Sequence, residues 1–186
     1  MNCKIDIATL RRLLNYDPKT GGLMWLPRTS EMFKSATRAE KDCAAWNKKY
    51  AGKPALTAIN RNGYRHGAIF GVTFTAHSVA WALTTGSWQA HTIDHINGDR
   101  LDNRASNLRD VPHSVNNRNM SANRRNTSGV MGVHFNRATG KWVASIKGGG
   151  RMINLGYYST IEEAAAVRRE AEKRFDFHPN HGKRAA

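Results

Sequence analysis

An alternating run of apolar and polar residues in the C-terminal third of the chain most restricts how it can fold. Every second side chain of a strand points to the same face, so this run predicts a strand over 141–147 with one apolar face. Gly140 and the glycines at 148–150 mark turns on either side, which predicts two more strands at 130–136 and 151–155. The apolar face carries Trp142, Ala144 and Ile146, and the other face carries Lys141, Val143, Ser145 and Lys147.

The apolar face of this predicted sheet needs a partner to cover it. Residues 160–174 have apolar side chains at helical spacing, and Ser159 and Glu162 have the spacing of a capping box at the start of a helix. Three strands and one helix together make a small two-layer unit. The sequence therefore predicts such a unit near the C-terminal end.

The charge of the chain limits its partners. The formal net charge is +15, and basic residues outnumber acidic ones in residues 1–80, 81–125 and 126–186 alike. A basic surface of this kind attracts a polyanion through phosphate neutralisation and counterion release. No apolar run is long enough to span a membrane and no secretory signal is present, so we expect a cytoplasmic protein without a membrane partner. Two cysteines, Cys3 and Cys43, cannot build a disulfide framework or a four-cysteine zinc site.

The polar face of the predicted sheet matches this charge. Strand pairs and sheet faces can enter the major groove of DNA, where side chains meet base edges and phosphates. We expect DNA contacts from six residues of that face: His134, Asn136, Lys141, Lys147, Arg151 and Asn154.

Shorter elements are predicted in the N-terminal part. The spacing of apolar residues predicts a helix over 4–15, a strand at 23–26 and an antiparallel meander over 54–75. A short helix is predicted over 76–85. Residues 28–50 are compatible with either a helix or a loop.

A polar cluster over 93–117 carries the chemistry. Hydrolysis of a phosphodiester needs a water that is deprotonated near neutral pH, and a histidine such as His95 can act as the general base. It also needs a cation to neutralise the charge that accumulates on the phosphate and the leaving oxygen. Hard cations take oxygen ligands, which Asp94 and nearby amides provide. Asp94 and His95 are neighbours, so a twist or a strand end is needed for both to face one cleft.

The cluster resembles the HNH (ββα-metal) nuclease family, in particular its phage homing-endonuclease branch. The resemblance is carried by Asp94-His95-Ile96-Asn97-Gly98-Asp99, Asp102-Asn103-Arg104, Asn107-Leu108-Arg109 and Asn116. Asn107 follows His95 by 12 residues and Asn116 follows Asn107 by 9, which is the spacing of the family's motif. The resemblance implies a hairpin followed by a helix, with His95 as general base and Asp94 as a metal ligand. It further implies that Asn107 holds the loop that positions His95, and that Asn116 is the second metal ligand.

The last position departs from the commonest pattern of this family. Asn116 stands where many members have histidine, and an amide oxygen suits Mg²⁺ or Mn²⁺ better than zinc. We therefore expect one Mg²⁺ or Mn²⁺ ion and no zinc. Asn117 and His113 remain alternative ligands.

Arginines flank the cluster. Their guanidinium groups could hold backbone phosphates, and the alternative is solvated surface charge. The expected phosphate ligands are Arg104, Arg109, Arg118, Arg124 and Arg125.

Two further segments have family resemblances. The stretches 129–133, 140–144, 155–157 and 162–165 resemble the ethylene-response-factor type DNA-binding domain of plant transcription factors, which implies that this unit binds DNA. The base-reading arginines of plant members are mostly replaced by His134, Asn136 and Asn154, so the target sequence cannot be inferred; the alternative is a basic unit that only stabilises the nuclease. Residues 1–88 resemble the N-terminal part of phage HNH proteins, chiefly at 14–21 and 76–81.

These observations predict an α+β protein, with a ββα-metal nuclease core between a small N-terminal α+β region and a C-terminal unit of three strands and a helix. The predicted divisions are a scaffold and DNA-contact region at 1–88, the nuclease core at 89–121, a linker at 122–129, the DNA-binding unit at 130–176 and a tail at 177–186.

The predicted function is that of a Mg²⁺- or Mn²⁺-dependent HNH endonuclease acting on double-stranded DNA. We expect a phage-encoded homing or free-standing enzyme in the host cytoplasm, a monomer on DNA that can nick because it has one site. One alternative is a non-catalytic, sequence-specific DNA-binding regulator. Another is an RNA-binding or ribosome-associated protein.

Overall fold

Residues 5–35, 37–116, 126–179 and 181–182 are described in the computed structural model of the chain. The chain divides into two units, Met1–Val111 and Pro112–Ala186. Three of the predicted DNA-contacting arginines, Arg118, Arg124 and Arg125, lie outside the described residues, as does Asn117.

Helix α1 (Ile7–Leu13) begins at Asp6, whose carboxylate accepts a hydrogen bond from the Thr9 amide at 2.8 Å. The helix is shorter than the predicted 4–15, because Leu14 adopts an extended conformation and pairs with Trp25. Strands β1 (Leu14–Asp17) and β2 (Gly22–Trp25) thus form an antiparallel hairpin.

The segment that the sequence left open contains a 3-10 turn (Ser30–Met32) and helix α2 (Ala39–Tyr50). The predicted meander is confirmed as β3 (Ala58–Ile59), β4 (Arg65–Ile69) and β5 (Val72–Thr75), paired in that order. The predicted helix at 76–85 is confirmed as α3 (Ala76–Thr85). It ends at Gly86, whose φ of 76° is the left-handed conformation that glycine adopts without strain.

The first unit has a core built around α1 and α3. Its fully buried members include Leu10, Leu13, Ile69 and Val79. A second cluster joins Ala80 of α3 to the next hairpin of the chain: Ala80, Ile93 and Leu108, with Tyr16 and Trp81 packed against them.

That hairpin consists of β6 (Thr92–His95) and β7 (Leu108–Val111), which are antiparallel. A 3-10 turn (Ala105–Asn107) leads into β7. The short helix α4 (His113–Asn116) opens the second unit.

The second unit contains β8 (Val133–Asn136), β9 (Lys141–Gly148), β10 (Arg151–Tyr158) and helix α5 (Ile161–Arg174). The strands form an antiparallel sheet in the order β10-β9-β8. The predicted strands and helix are confirmed, but the capping box is formed by Thr160 and Glu163 and not by Ser159 and Glu162. The prediction was one residue early because Ser159 and Glu162 have the same spacing as the residues that cap the helix.

Helix α5 covers the apolar face of the sheet, with Ala164 packed against Val133 and Ala144. The buried Arg168 joins the two layers: its Nε donates to the Met131 carbonyl and its Nη1 to the Ser145 carbonyl, both at 3.0 Å. An ion pair of 3.1 Å with Glu172 balances its charge. The chain is therefore α+β, as predicted. Within the part that the structure describes, no helix combines the length and the apolar character needed to cross a bilayer.

Candidate active site

Asp94 and Arg109 occupy opposite positions of the β6–β7 hairpin. Directly opposed residues of an antiparallel pair project to the same face, so their side chains can meet. The Arg109 Nε and Nη2 both donate to Asp94 Oδ2, at 2.9 and 2.7 Å. The Asp94 side chain is only 6% exposed. The arginine that the sequence assigned to phosphate is therefore bound to the carboxylate that it assigned to a metal.

His95 is the last residue of β6 and is also buried. Its Nε2 lies 3.2 Å from Oδ1 of Asn103, a residue that is itself buried. The strand ends here as the sequence required: the Gly98 amide donates to the His95 carbonyl at 2.9 Å and turns the chain away. The charge of the neighbouring Asp94 carboxylate raises the pKa of His95.

Two aromatic rings enclose the His95 imidazole. Tyr64, which precedes β4, stacks on it with ring centroids 5.8 Å apart. His77 of α3 meets it edge to face at 5.3 Å, and Tyr64 meets His77 at 4.9 Å. Local spacing points to a catalytic role for neither His77 nor Tyr64, because their proximity to His95 depends on how α3 and the meander pack.

Burial controls the protonation of both histidines. The pKa of His95 is lowered mainly by desolvation, against the Asn103 hydrogen bond and the carboxylates of Asp94, Asp99 and Asp102, which raise it. Desolvation, and then the nearby His95, lower the pKa of His77 to about 4. Both imidazoles are therefore neutral near pH 7, the state in which a histidine can accept a proton.

Asn107 ties together the loop between β6 and β7. Its Oδ1 accepts from the Asn97 amide at 2.9 Å, and its Nδ2 donates to the Asp102 carbonyl at 2.8 Å. Its main-chain carbonyl also accepts from the Ile96 amide at 2.9 Å. This bonding is what a loop-holding residue requires, and the contribution of Asn107 to activity stays a prediction.

The Asp102 carboxylate accepts hydrogen bonds from two other residues of the same loop. Arg104 donates to both of its carboxylate oxygens, from Nε at 2.8 Å and from Nη2 at 2.6 Å, and Asn97 donates to Oδ2 at 2.8 Å. The Arg104 hydrogen bond is the main reason that the pKa of Asp102 falls to about 2. Arg104, the other arginine predicted to hold phosphate here, thus bonds to a carboxylate in its own loop.

Arg100 was not selected from the sequence, and it lies over the ring of Tyr64, one of the two rings that enclose His95. Its guanidinium carbon is 5.3 Å from the centre of the Tyr64 ring, and its Nη1 donates to the Asn62 carbonyl at 2.7 Å. The motif spacing gave no signal for it, because its partners belong to the meander.

The predicted second metal ligand, Asn116, is the last residue of α4 and belongs to the second unit. His113, its alternative, opens that helix. The described residues contain no group of three or more His, Cys, Asp or Glu that could hold a metal ion. The metal roles of Asp94 and Asn116 stay predictions.

In the second unit, the strand register places five of the six predicted DNA contacts on the outer face of the sheet. Lys141 and Lys147 lie on this face of β9. His134 and Asn136 pair with Val143 and Lys141 of the same face, and Asn154 pairs with Ser145 of that face. Arg151 pairs with Gly148 and has the parity of the opposite face, so the prediction that it lies on the outer face was wrong. Arg151 and Asn154 are an odd number of residues apart, which separates their faces in a regular strand.

The outer face also contains two exposed apolar residues that sequence analysis missed. Met152 is 67% exposed and pairs with Lys147, and Tyr157 is 51% exposed and pairs with Val143. Met152 is two residues before Asn154, so the alternation of a strand would have placed both on the same face. Tyr157 reaches this face only because the register shifts between Asn154 and Gly156.

The comparisons with known proteins concern the site around Asp94 and His95. Residues 74–118, which begin just before α3 and end after α4, match the sequence model of the HNH endonuclease family. The chain is also 28% identical over 103 residues to "Protein 3.8" of Escherichia phage T7, an alignment that covers 53% of this chain and 85% of that protein. No solved structure matches the chain significantly. The segment that holds Asp94, His95, Asn103 and Asn107 is thus similar to an HNH endonuclease domain, and this supports a nuclease that acts on DNA.

Proposed function

We propose that the chain is a divalent-metal-dependent endonuclease that hydrolyses phosphodiester bonds of double-stranded DNA. The observation that carries the proposal is His95, a buried and neutral imidazole at a strand end, next to the carboxylate of Asp94 and within the segment that matches HNH endonucleases. A neutral imidazole in a water-poor setting is the form of histidine that can act as a general base.

In the proposed reaction His95 takes a proton from a water molecule while the water oxygen forms a bond to phosphorus. The bond from phosphorus to the 3′ oxygen breaks and the 3′ oxygen takes a proton from solvent, which leaves a 5′ phosphate and a 3′ hydroxyl. Asn107 keeps the loop that carries His95 in place through its bonds to Asn97 and Asp102. General-base catalysis of this kind contributes on the order of 10²- to 10⁴-fold to a rate.

The chemistry of the oxygen donors suits a hard cation. Asp94 offers a carboxylate and Asn116 an amide oxygen, and we propose that these residues hold one Mg²⁺ or Mn²⁺ ion. When bound, the ion would neutralise charge on the phosphate and the leaving oxygen. Arg109 balances the charge of Asp94 in this structure. We propose that Arg109, which is partly exposed beside Asp94, also contacts the scissile phosphate.

DNA binding is proposed for the second unit, through the outer face of its sheet. His134, Lys141, Lys147 and Asn154 are exposed there, and the lysines supply positive charge without a carboxylate on the same strand. Arg151 could contribute a phosphate contact from the edge of the sheet, because it is exposed at the first position of β10.

A single cleavage centre cuts one strand in each encounter, so we expect nicked circular DNA as the first product. A phage homing or free-standing role belongs to the same proposal, as does action as a monomer. The similarity to a phage protein supports the phage origin.

The test is the conversion of supercoiled plasmid to nicked circles with Mg²⁺ or Mn²⁺. We expect His95→Ala to lose at least about 100-fold in rate while its affinity for DNA is unchanged. His91→Ala is the matched control, since His91 is an exposed histidine just before the same strand. If wild type and His95→Ala bind DNA equally and neither cuts, the chain is a DNA-binding regulator. Preference for structured RNA over duplex DNA at fixed salt would indicate an RNA-binding protein.

A further inference from the structure

The N-terminal hairpin β1–β2 lies against the loop that carries the proposed general base. The Tyr16 hydroxyl donates to the Asn103 carbonyl at 2.8 Å, across 87 residues of chain. The Ala105 amide donates to the Pro18 carbonyl at 3.0 Å. The backbone of Asn103 is therefore held from the N-terminal part of the chain and not only by its own loop.

Gly21 makes the closest approach of the hairpin to the loop. A Cβ at this position would lie 2.6 Å from the Asn103 carbonyl carbon and 2.7 Å from the Arg104 amide nitrogen. Its φ of +75° is also a conformation that L residues rarely adopt. Both neighbours are backbone atoms, which cannot move aside as a flexible side chain can. Only glycine allows the hairpin to pack this closely.

The turn of the hairpin is held by hydrogen bonds of its own. The Asp17 carboxylate accepts from the Lys19 amide at 2.9 Å and from the Thr20 hydroxyl at 2.8 Å. Such bonds fix a turn without help from the rest of the fold. Asn103 thus contacts a hairpin whose turn has its own hydrogen bonds.

The side chain of Asn103 connects this support to His95. Asn103 is 3% exposed, and its Oδ1 lies 3.2 Å from the His95 Nε2. A carbonyl oxygen can only accept a hydrogen bond, so this contact requires the proton of the neutral ring to be on Nε2. The unprotonated nitrogen of the neutral ring is then Nδ1.

We propose that Asn103 is a positioning residue, which fixes the orientation and the tautomer of His95, and that Tyr16 and Gly21 of the hairpin hold Asn103 in place for this purpose. The inference rests on the proposed function for its effect on catalysis. The tautomer itself is a property of the free protein and can be measured without any cleavage.

The first measurement is the pair of ¹⁵N chemical shifts of the His95 ring in the metal-free full chain, at a pH where the ring is neutral. We expect the shifts of an Nε2-protonated ring in wild type. Asn103→Leu, which removes the accepting oxygen, should give a mixture of tautomers, and Asn103→Asp, which keeps it, should restore the wild-type pattern.

The second measurement is the plasmid-nicking rate at saturating DNA. We expect Asn103→Leu to lose about 100-fold, the scale of general-base catalysis, and Tyr16→Phe about fivefold, the scale of one neutral hydrogen bond. The affinity for DNA should not change in either case. Asn103→Asp should recover most of the loss.

Gly21→Ala has a matched control in Gly52→Ala. Gly52 has a φ of +74°, and apart from its chain neighbours no atom of the described residues lies within 4 Å of its Cβ position, so it carries the same backbone strain without the contact to Asn103. We expect Gly21→Ala to disturb the tautomer and the rate while Gly52→Ala does not. Thermal unfolding of each variant identifies those that fail to fold.

The outcomes separate this proposal from the proposed function. If folded Asn103→Leu retains a single Nε2-protonated tautomer, or if folded Tyr16→Phe and Gly21→Ala both match wild type in tautomer and rate, the positioning role is wrong even when the enzyme cuts DNA. If wild type does not cut but the tautomer responds as expected, the nuclease function fails and the positioning of His95 stands.

Discussion

Asp94 and Arg109 form the most buried ion pair of the β6–β7 hairpin, with Arg109 Nη2 2.7 Å from Asp94 Oδ2. The arginine side chain is 32% exposed while the carboxylate is 6% exposed, so the pair joins the interior to the surface. Breaking such a pair removes a counter-charge from a desolvated carboxylate, which is destabilising.

Removal of this counter-charge should destabilise the first unit. We expect Arg109→Gln to lower the free energy of unfolding by about 2 kcal/mol, below the value for a fully buried pair because Arg109 is partly solvated. The double variant Asp94→Asn, Arg109→Gln should recover part of the loss. Denaturant unfolding of the full double-mutant cycle measures the coupling. A coupling energy near zero would show that the pair does not stabilise the hairpin.

Stability should depend on pH through His77. Its folded pKa of about 4 is below the unfolded value of 6.5, so the unfolded chain binds more protons between these values. The contribution of His77 to stability is complete above pH 6.5 and decreases as the pH falls toward 4. We expect His77→Phe to reduce the slope of unfolding free energy against pH in this window, by an integrated amount on the order of 3 kcal/mol.

The matched control for this slope is His91→Ala, which replaces an exposed histidine. Thr75 still bonds to Ser78 in the His77→Phe variant, because its hydroxyl donates to the Ser78 Oγ at 2.9 Å. An unchanged slope in His77→Phe would mean that this histidine is not held neutral by burial.

A glycine pair tests how the second unit is packed. Gly132 has a φ of +75°, and a Cβ there would meet the Ser145 carbonyl oxygen and the buried Arg168 guanidinium. Gly129 has a φ of +74°, and in the described part of the chain no atom beyond its own neighbours lies within 4 Å of its Cβ position. We expect Gly129→Ala to cost about 1 kcal/mol for the backbone alone and Gly132→Ala about 3 kcal/mol. Equal losses in denaturant unfolding would rule out the steric contact.

The outer face of the sheet should determine the salt dependence of DNA binding. Each phosphate contact adds about 0.9 to the slope of log affinity against log salt. We expect Lys141→Ala with Lys147→Ala to reduce that slope by nearly 2 and to weaken binding similarly on unrelated sequences. Lys173→Ala is the control, since Lys173 is an exposed lysine of α5, on the other layer of the unit. An effect of Lys173→Ala as large as that of the pair would place the DNA elsewhere.

Local patterns in the sequence were sufficient for most of the secondary structure. The alternation over 141–147 predicted β9, the glycines predicted its neighbours, and the apolar spacing over 76–85 predicted α3 with its bounds. These features depend on residues a few positions apart, whose relation is set by the periods of helix and strand. Where two positions fit the same period, as at Ser159 and Thr160, the pattern could not choose between them.

The residue types and spacings of the cluster could be recognised because they lie within one segment: a histidine beside a carboxylate, with Asn107 at a fixed interval. The chemical roles of these residues stay predictions. The surroundings of that histidine were not readable. The contact of Asn103 with Tyr16 joins residues 87 positions apart, and the rings of Tyr64 and His77 reach His95 only when the meander and α3 have packed. Contacts of that kind follow from the burial of a shared core, to which many residues contribute, so no local spacing encodes them.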